Sequence, residues 1–175
     1  MKTITICGAT GFIGSNLVRN LSKKYKILAI YNRKKPFKIK NVIWLKADLR
    51  KFNDCLKVTA NSNVIIQAAA TTSGSKDIIN SPYLHVTDNA VMNSYLLKAS
   101  YINNISNFIF TSCTVMYHNS SKYLDENKVD ENKIFKNYFG VGHTKLYVEK
   151  MCKFYSDISN IKFSIIRHSK VRYQT

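Results

Sequence analysis

The 175-residue sequence predicts an α/β domain built on a doubly wound parallel sheet. Short apolar strands alternate with longer helical stretches, the pattern of parallel strands covered on both faces. A run of glycines follows the first strand directly, as a tight strand-to-helix turn requires. Hydrophobic residues at 45% against charged residues at 21% supply a core for one domain of ordinary size.

Taken in order, Thr3–Cys7 reads as a buried strand, and a helix follows over residues 12–23. Further strands are expected at 27–31, 42–45, 64–68, 108–110 and 163–166, each short and rich in Ile, Val and Phe. Residues 86–101 form a helical pattern with Val86, Ala90, Leu97 and Tyr101 as its apolar positions. A last helix is expected over 142–155, with Val148, Met151, Cys152 and Tyr155 on one face. The polar stretch 118–136 is the one long loop, and loops of that length tend to be functional or mobile. There is no internal repeat and no linker.

Charge and cysteine content narrow the function classes. The 27 Lys+Arg residues against 10 Asp+Glu give a net charge of +17, but they are spread along the chain and form no arm. The densest group is Arg33, Lys34, Lys35, Lys38 and Lys40. No base-reading motif accompanies it, so one local anion site is expected and a nucleic-acid partner is not. No apolar run approaches the roughly 18 residues of a membrane span, so a soluble, cytoplasmic protein with no membrane partner is expected. Cys7, Cys55, Cys113 and Cys152 are far apart and lie at no metal-ligand spacing from the histidines, so neither a metal site nor a disulfide framework is expected.

The glycine turn is the strongest local signal. Gly8, Gly11 and Gly14 stand at G-x-x-G-x-x-G spacing between the first strand and an amphipathic helix. Glycines in that setting bend the chain sharply, let a diphosphate approach the backbone and let helix pack on strand. The helix N-terminus then offers free N–H groups to the anion. This makes Gly8, Thr10, Gly11, Phe12, Ile13 and Gly14 candidate dinucleotide-binding residues and the fold a Rossmann-like three-layer sandwich. The second strand ends in Tyr31-Asn32-Arg33-Lys34-Lys35, with no acid to bond a ribose and three cations in its place. Cations would hold a 2′-phosphate, so Asn32 and Arg33 point to NADP, with NAD as the alternative.

From Cys7-Gly8-Ala9-Thr10-Gly11-Phe12-Ile13-Gly14 onward, the sequence resembles the extended short-chain dehydrogenase/reductases, the NAD-dependent epimerase/dehydratase family. Later segments agree in order. Lys46-Ala47-Asp48-Leu49 resembles the third-strand motif, and implies adenine contacts for Asp48 and Leu49. The run from Val64 to Ala70 resembles the fourth strand, implying a cofactor-lining role for Ala68, Ala69 and Ala70. Asp88-Asn89 falls where the family has a helix Asn. Phe108 to Tyr117 resembles the fifth strand and its active-site end, Thr144 to Glu149 the catalytic helix, and Ile165 to Ser169 the sixth strand. The resemblance implies hydride transfer on a nucleotide sugar, with Lys145 holding the nicotinamide ribose and lowering the pKa of a tyrosine four residues earlier.

Two positions depart from that pattern. Val141 stands four residues before Lys145, and the nearest upstream tyrosine is Tyr138, seven before it. On a continuous helix that is about 10 Å of rise. Gly140 and Gly142 flank Val141, so a late helix start would let Tyr138 reach in from the loop. Cys113 occupies the usual Ser/Thr position, and a thiol is a weak donor, so neighbouring Thr114 is the candidate hydroxyl. His143, two residues from Lys145, is expected at the surface or in a loop. Two readings stay open: Tyr138, Thr114, Cys113 and Lys145 rebuild the chemistry in altered geometry, or the chain is a catalytically impaired dinucleotide-binding regulatory or redox-sensing module. After the sixth strand the family continues into a substrate-binding domain, whereas this sequence ends at Lys170-Val171-Arg172-Tyr173-Gln174-Thr175. A single NAD(P)-binding domain over 1–175 is therefore expected, its C-terminal substrate domain absent or truncated, with exposed apolar surface favouring a homo-oligomer.

Overall fold

A computed structural model describes residues 2–71, 80–118, 120 and 124–169. Residues 170–175, on which the reading of the chain end rests, lie outside the described residues. Six strands form one sheet: β1 (Thr3–Cys7), β2 (Lys26–Tyr31), β3 (Val42–Lys46), β4 (Val64–Gln67), β5 (Asn107–Cys113) and β6 (Lys162–His168). Their order is β3-β2-β1-β4-β5-β6 and every pairing is parallel. The chain runs outward from β1 to β3, then crosses to β4 beside β1, with Ile4 paired to both Ile27 and Val64. That reversal puts the switch point of the sheet at the carboxyl ends of β1 and β4, the place where open α/β sheets bind their ligands.

Alternation along the strands sends side chains to two cores. Ile4, Ile6, Ile27, Ala29 and Ile66 meet Val18 of α1 (Phe12–Leu21) on one face. Cys7, Ile30, Ile65, Phe108 and Phe110 face the other. There they pack on α2 (Phe52–Thr59), α3 (Thr87–Ile102) and α4 (Phe139–Asp157) through Val58, Leu96, Val148 and Cys152. The three-layer sandwich expected from the sequence is the one formed. At the β6 edge Ile165 and Ile166 remain exposed, Ile166 at 52%. Among the described residues no helix is long and apolar enough to cross a membrane.

Four local expectations differ from the structure. Helix α2 has no counterpart in the sequence reading; at eight residues it makes barely two turns, too short for its apolar positions Phe52, Cys55, Leu56 and Val58 to establish a period. On α3, Tyr101 is exposed, while the buried side includes Asn89, Asn93 and Ser100, whose polar groups hide its inner face from a hydrophobicity pattern. Helix α4 begins at Phe139, not at 142. Its glycines sit under neighbouring chains: a Cβ on Gly140 would lie 2.9 Å from Val86, and one on Gly142 2.9 Å from Ile134. His143 is accordingly inside a helix and half-buried, its ring tilted against that of Phe139 at 4.3 Å between centres.

Candidate active site at the carboxyl end of the sheet

The turn between β1 and α1 is shaped by backbone contacts. Gly8 has φ +70°, and a Cβ there would stand 2.7 Å from the Cα of Ala69 and 2.8 Å from the carbonyl of Ala68. The turn is thus seated on the segment that leaves β4. A Cβ on Gly14 would be 2.2 Å from the Gly8 carbonyl, and one on Gly11 would be 3.2 Å from the same oxygen. The Gly11 N–H closes the turn on the Gly8 carbonyl at 2.9 Å, and Gly11 then caps α1 without a side chain. No acid occupies the first turn of that helix. Thr10 and Gly14 are buried, Phe12 and Ile13 half-buried. A close-approach backbone ahead of a helix N-terminus with no competing anion fits the diphosphate of a dinucleotide.

Around this turn stand the other expected cofactor residues. Ala68 and Ala69 are half-buried and Ala70 is exposed at the end of β4. Asn32 and Arg33 are exposed beyond β2, beside Lys34 and Lys35. Leu49 is buried and Asp48 half-buried beyond β3. Asp48 does not stand alone. Arg50 donates to both its oxygens, Nε at 3.0 Å and Nη2 at 2.9 Å, and gives its other arm to Asp88 on α3 at 3.0 Å. These Arg50 bonds hold the Asp48 carboxyl below the usual carboxylate range. A buried amide ladder supports the same rim: Gln67 donates to Asn93, Asn93 to the Asn89 carbonyl, and Asn89 to the carbonyls of Thr71 and His85.

The second part of the site lies where β5 meets α4. The Lys145 ammonium donates to the Thr111 carbonyl at 3.1 Å and stands 4.7 Å from the centre of the Phe110 ring. Burial pushes its pKa below the ordinary lysine range, while Cys113 and Glu149 act in the opposite direction. Cys113, half-buried, ends β5, and Thr114 opens the following turn exposed. The structure therefore brings Lys145 and Cys113 together. Tyr138 stands apart as the cap residue of α4, its ring 5.8 Å from that of Phe135. Because α4 runs unbroken from Phe139, Tyr138 keeps its separation of about two helical turns from Lys145. Val141, one turn before Lys145, is half-buried on the same stripe.

Arg50, Gln67, Glu149 and Arg167 were given no role by sequence reasoning. Glu149 and Arg167 lie inside the segments that carry the resemblance, but Glu149 has Lys150 beside it and Lys145 and Lys153 one turn away on either side, so no local pattern pointed to Arg167 as its partner. Among the described residues the four cysteines are free; Cys7, Cys55 and Cys152 are buried, and burial pushes the Cys55 and Cys152 thiols up to about 12.

Comparison with known proteins agrees with this geometry. Residues 4–172 match the NAD dependent epimerase/dehydratase family, and the chain belongs to it. It is 26% identical over 174 residues to GDP-mannose 3,5-epimerase 1 of Oryza sativa subsp. indica, covering 96% of this chain and 46% of that protein. It is 29% identical over 178 residues to an uncharacterised UDP-glucose epimerase of Bacillus subtilis (strain 168), covering 94% and 55%. The chain thus spans about half the length of the curated relatives it matches. Among solved structures, the UDP-Glc/GlcNAc 4-epimerase of Campylobacter jejuni superposes with a TM-score of 0.82 at 20% identity, over 100% of this chain and 59% of that one. The UDP-glucose 4-epimerase of Thermus thermophilus in complex with NAD does so with a TM-score of 0.78 at 18% identity, over 94% and 54%.

Proposed function

We propose that this chain is the dinucleotide-binding part of a nucleotide-sugar epimerase, dehydratase or reductase acting by hydride transfer at the sugar ring. The observation that carries the proposal is the Gly8 turn, held at φ +70° and pressed so closely on Ala68 and Ala69 that no side chain fits at Gly8. Gly8, Thr10, Gly11, Phe12, Ile13 and Gly14 would hold the diphosphate, Asp48 and Leu49 the adenine, and Ala68, Ala69 and Ala70 the middle of the molecule. Asn32 and Arg33, with Lys34 and Lys35 beside them, favour NADP over NAD, because an exposed cation cluster suits a 2′-phosphate. When bound, the nicotinamide accepts and returns a hydride.

Lys145 would hold the nicotinamide ribose, since it is a half-buried cation bonded to the Thr111 carbonyl at the end of β5. Cys113 and Thr114 would orient the sugar oxygen. Tyr138, at the head of the stripe that carries Val141 and Lys145, is the candidate group to take that oxygen's proton and give it back. The relatives named as GDP-mannose and UDP-glucose epimerases make sugar nucleotides the substrate class to try first. A cytoplasmic location and a homo-oligomeric state complete the proposal, the second supported by Tyr95, Tyr101, Tyr147 and Phe154 exposed on α3 and α4.

Titration of the purified chain with NADPH and with NADH tests the reading. Binding of either, with NADPH tighter, is expected; Arg33→Asp should abolish the preference and leave NADH binding in place. Failure of both nucleotides to bind overturns the assignment.

A further inference from the structure

Glu149 sits one helical turn after Lys145 on α4, and both side chains reach β5. Lys145 takes the Thr111 carbonyl; Glu149 accepts from the Ser112 hydroxyl at 2.6 Å. Two successive residues of the strand that ends in Cys113 are thus gripped by two successive turns of one helix. The Glu149 side chain is only 8% exposed, and its charge is met by Arg167 from β6. The Arg167 Nε lies 3.2 Å from both carboxylate oxygens and its Nη2 lies 2.7 Å from one. The remaining arm of Arg167 donates to the Tyr117 hydroxyl at 3.1 Å and the Glu126 carbonyl at 2.7 Å. One carboxylate therefore joins α4, β5, β6 and the segment beyond Cys113.

A buried ion pair of this kind adds little net stability over an apolar pair of the same shape, because desolvation offsets the attraction. What it adds is a defined geometry, which packing alone specifies less tightly. We infer that Glu149 is a positioning residue: through Ser112 and Arg167 it fixes the end of β5 against α4, and so sets where the Lys145 ammonium stands relative to Cys113. Its functional meaning rests on the reading of Lys145 as the ribose contact. The groups acting on Lys145 are Thr111, Phe110 and Cys113 from β5 and Glu149 from its own helix, with Arg167 of β6 behind Glu149. Removing the Glu149 charge withdraws a carboxylate that favours the protonated amine and leaves the Arg167 cation unpaired behind it.

The test is acylation of Lys145 by an amine-reactive succinimidyl ester, followed across pH by peptide mass spectrometry. Glu149→Gln should move the midpoint of labelling down by about half a pH unit or more, the direction expected when a nearby opposite charge is lost. The double variant Glu149→Met with Arg167→Met should keep the fold, as judged by its thermal melt, and show a smaller downward shift, since the Arg167 cation is removed together with the carboxylate. This second variant decides the matter if Glu149→Gln fails to fold. A folded variant whose Lys145 labels with the wild-type profile would overturn the inference and leave the pair a purely structural one. Shielding of Lys145 by NADPH or NADH in the wild-type protein is a separate readout. Its failure counts against the ribose contact, without altering the pH profile that tests Glu149.

Discussion

The two halves of the candidate site are built on different principles. The β1–α1 turn presents backbone: Gly8, Gly11 and Gly14 have no side chain to offer, and the space a Cβ would fill at Gly8 and Gly14 is already occupied. The β5–α4 rim presents side chains: Lys145, Cys113 and Thr114 stand on elements held together by the Ser112–Glu149–Arg167 network. The first depends on three residues being nothing else. The second depends on several residues each reaching a partner distant in sequence, such as Lys145 to Thr111 across 34 positions. It follows that the turn tolerates no substitution at Gly8 or Gly14, whereas the rim accommodates exchanges such as Val141 and Cys113 while keeping its fold.

The sharpest way to break the comparison is at Gly8. Gly8→Ala combines a left-handed backbone cost of about 1–2 kcal/mol with overpacking of about 1–3 kcal/mol against the fixed backbone of Ala69. Chemical denaturation should show that loss, and cofactor titration should show binding gone. A variant that folds and binds normally would mean the turn has room that the geometry denies it. On the rim side, Tyr138→Phe should lower turnover of a sugar nucleotide by roughly 100-fold, the scale of a lost general acid or base, with the fold intact. Unchanged turnover would remove Tyr138 from the chemistry.

Lys145→Met separates stability from function within the rim. Burial depresses the Lys145 pKa in the fold, so the unfolded chain holds that proton more tightly. Stability therefore rises as pH climbs through the depressed value toward the unfolded value of about 10.4. The Met variant should lose this rise, seen by comparing denaturation midpoints near about pH 7 and about pH 9.5, while cofactor affinity falls. The smallest effect is expected far from both halves. Phe154→Glu on the exposed side of α4 should shift the chain toward monomer in light scattering and leave cofactor binding unchanged.

Legibility in the sequence followed the same division. The glycine turn was readable because its constraint is local: spacing after a strand and before a helix fixes the backbone path whatever surrounds it. The parallel sheet was readable because Ile, Val and Phe runs between helical stretches leave few other architectures. Helix α2 was not, since eight residues carry too little period, and neither was the true start of α4, where Gly140 and Gly142 read as breakers. In the structure those glycines are the places where Val86 and Ile134 come close.

The order of apolar runs and the three glycines determined the fold and the tight turn between β1 and α1, because each acts through neighbours in sequence. Which polar groups find each other was decided only by tertiary structure. Arg50 joins Asp48 to Asp88, and Glu149 joins Ser112 to Arg167, across separations of up to 38 residues. A buried charge must be met by whatever partner the packed elements bring to it, and no local pattern records which one that will be.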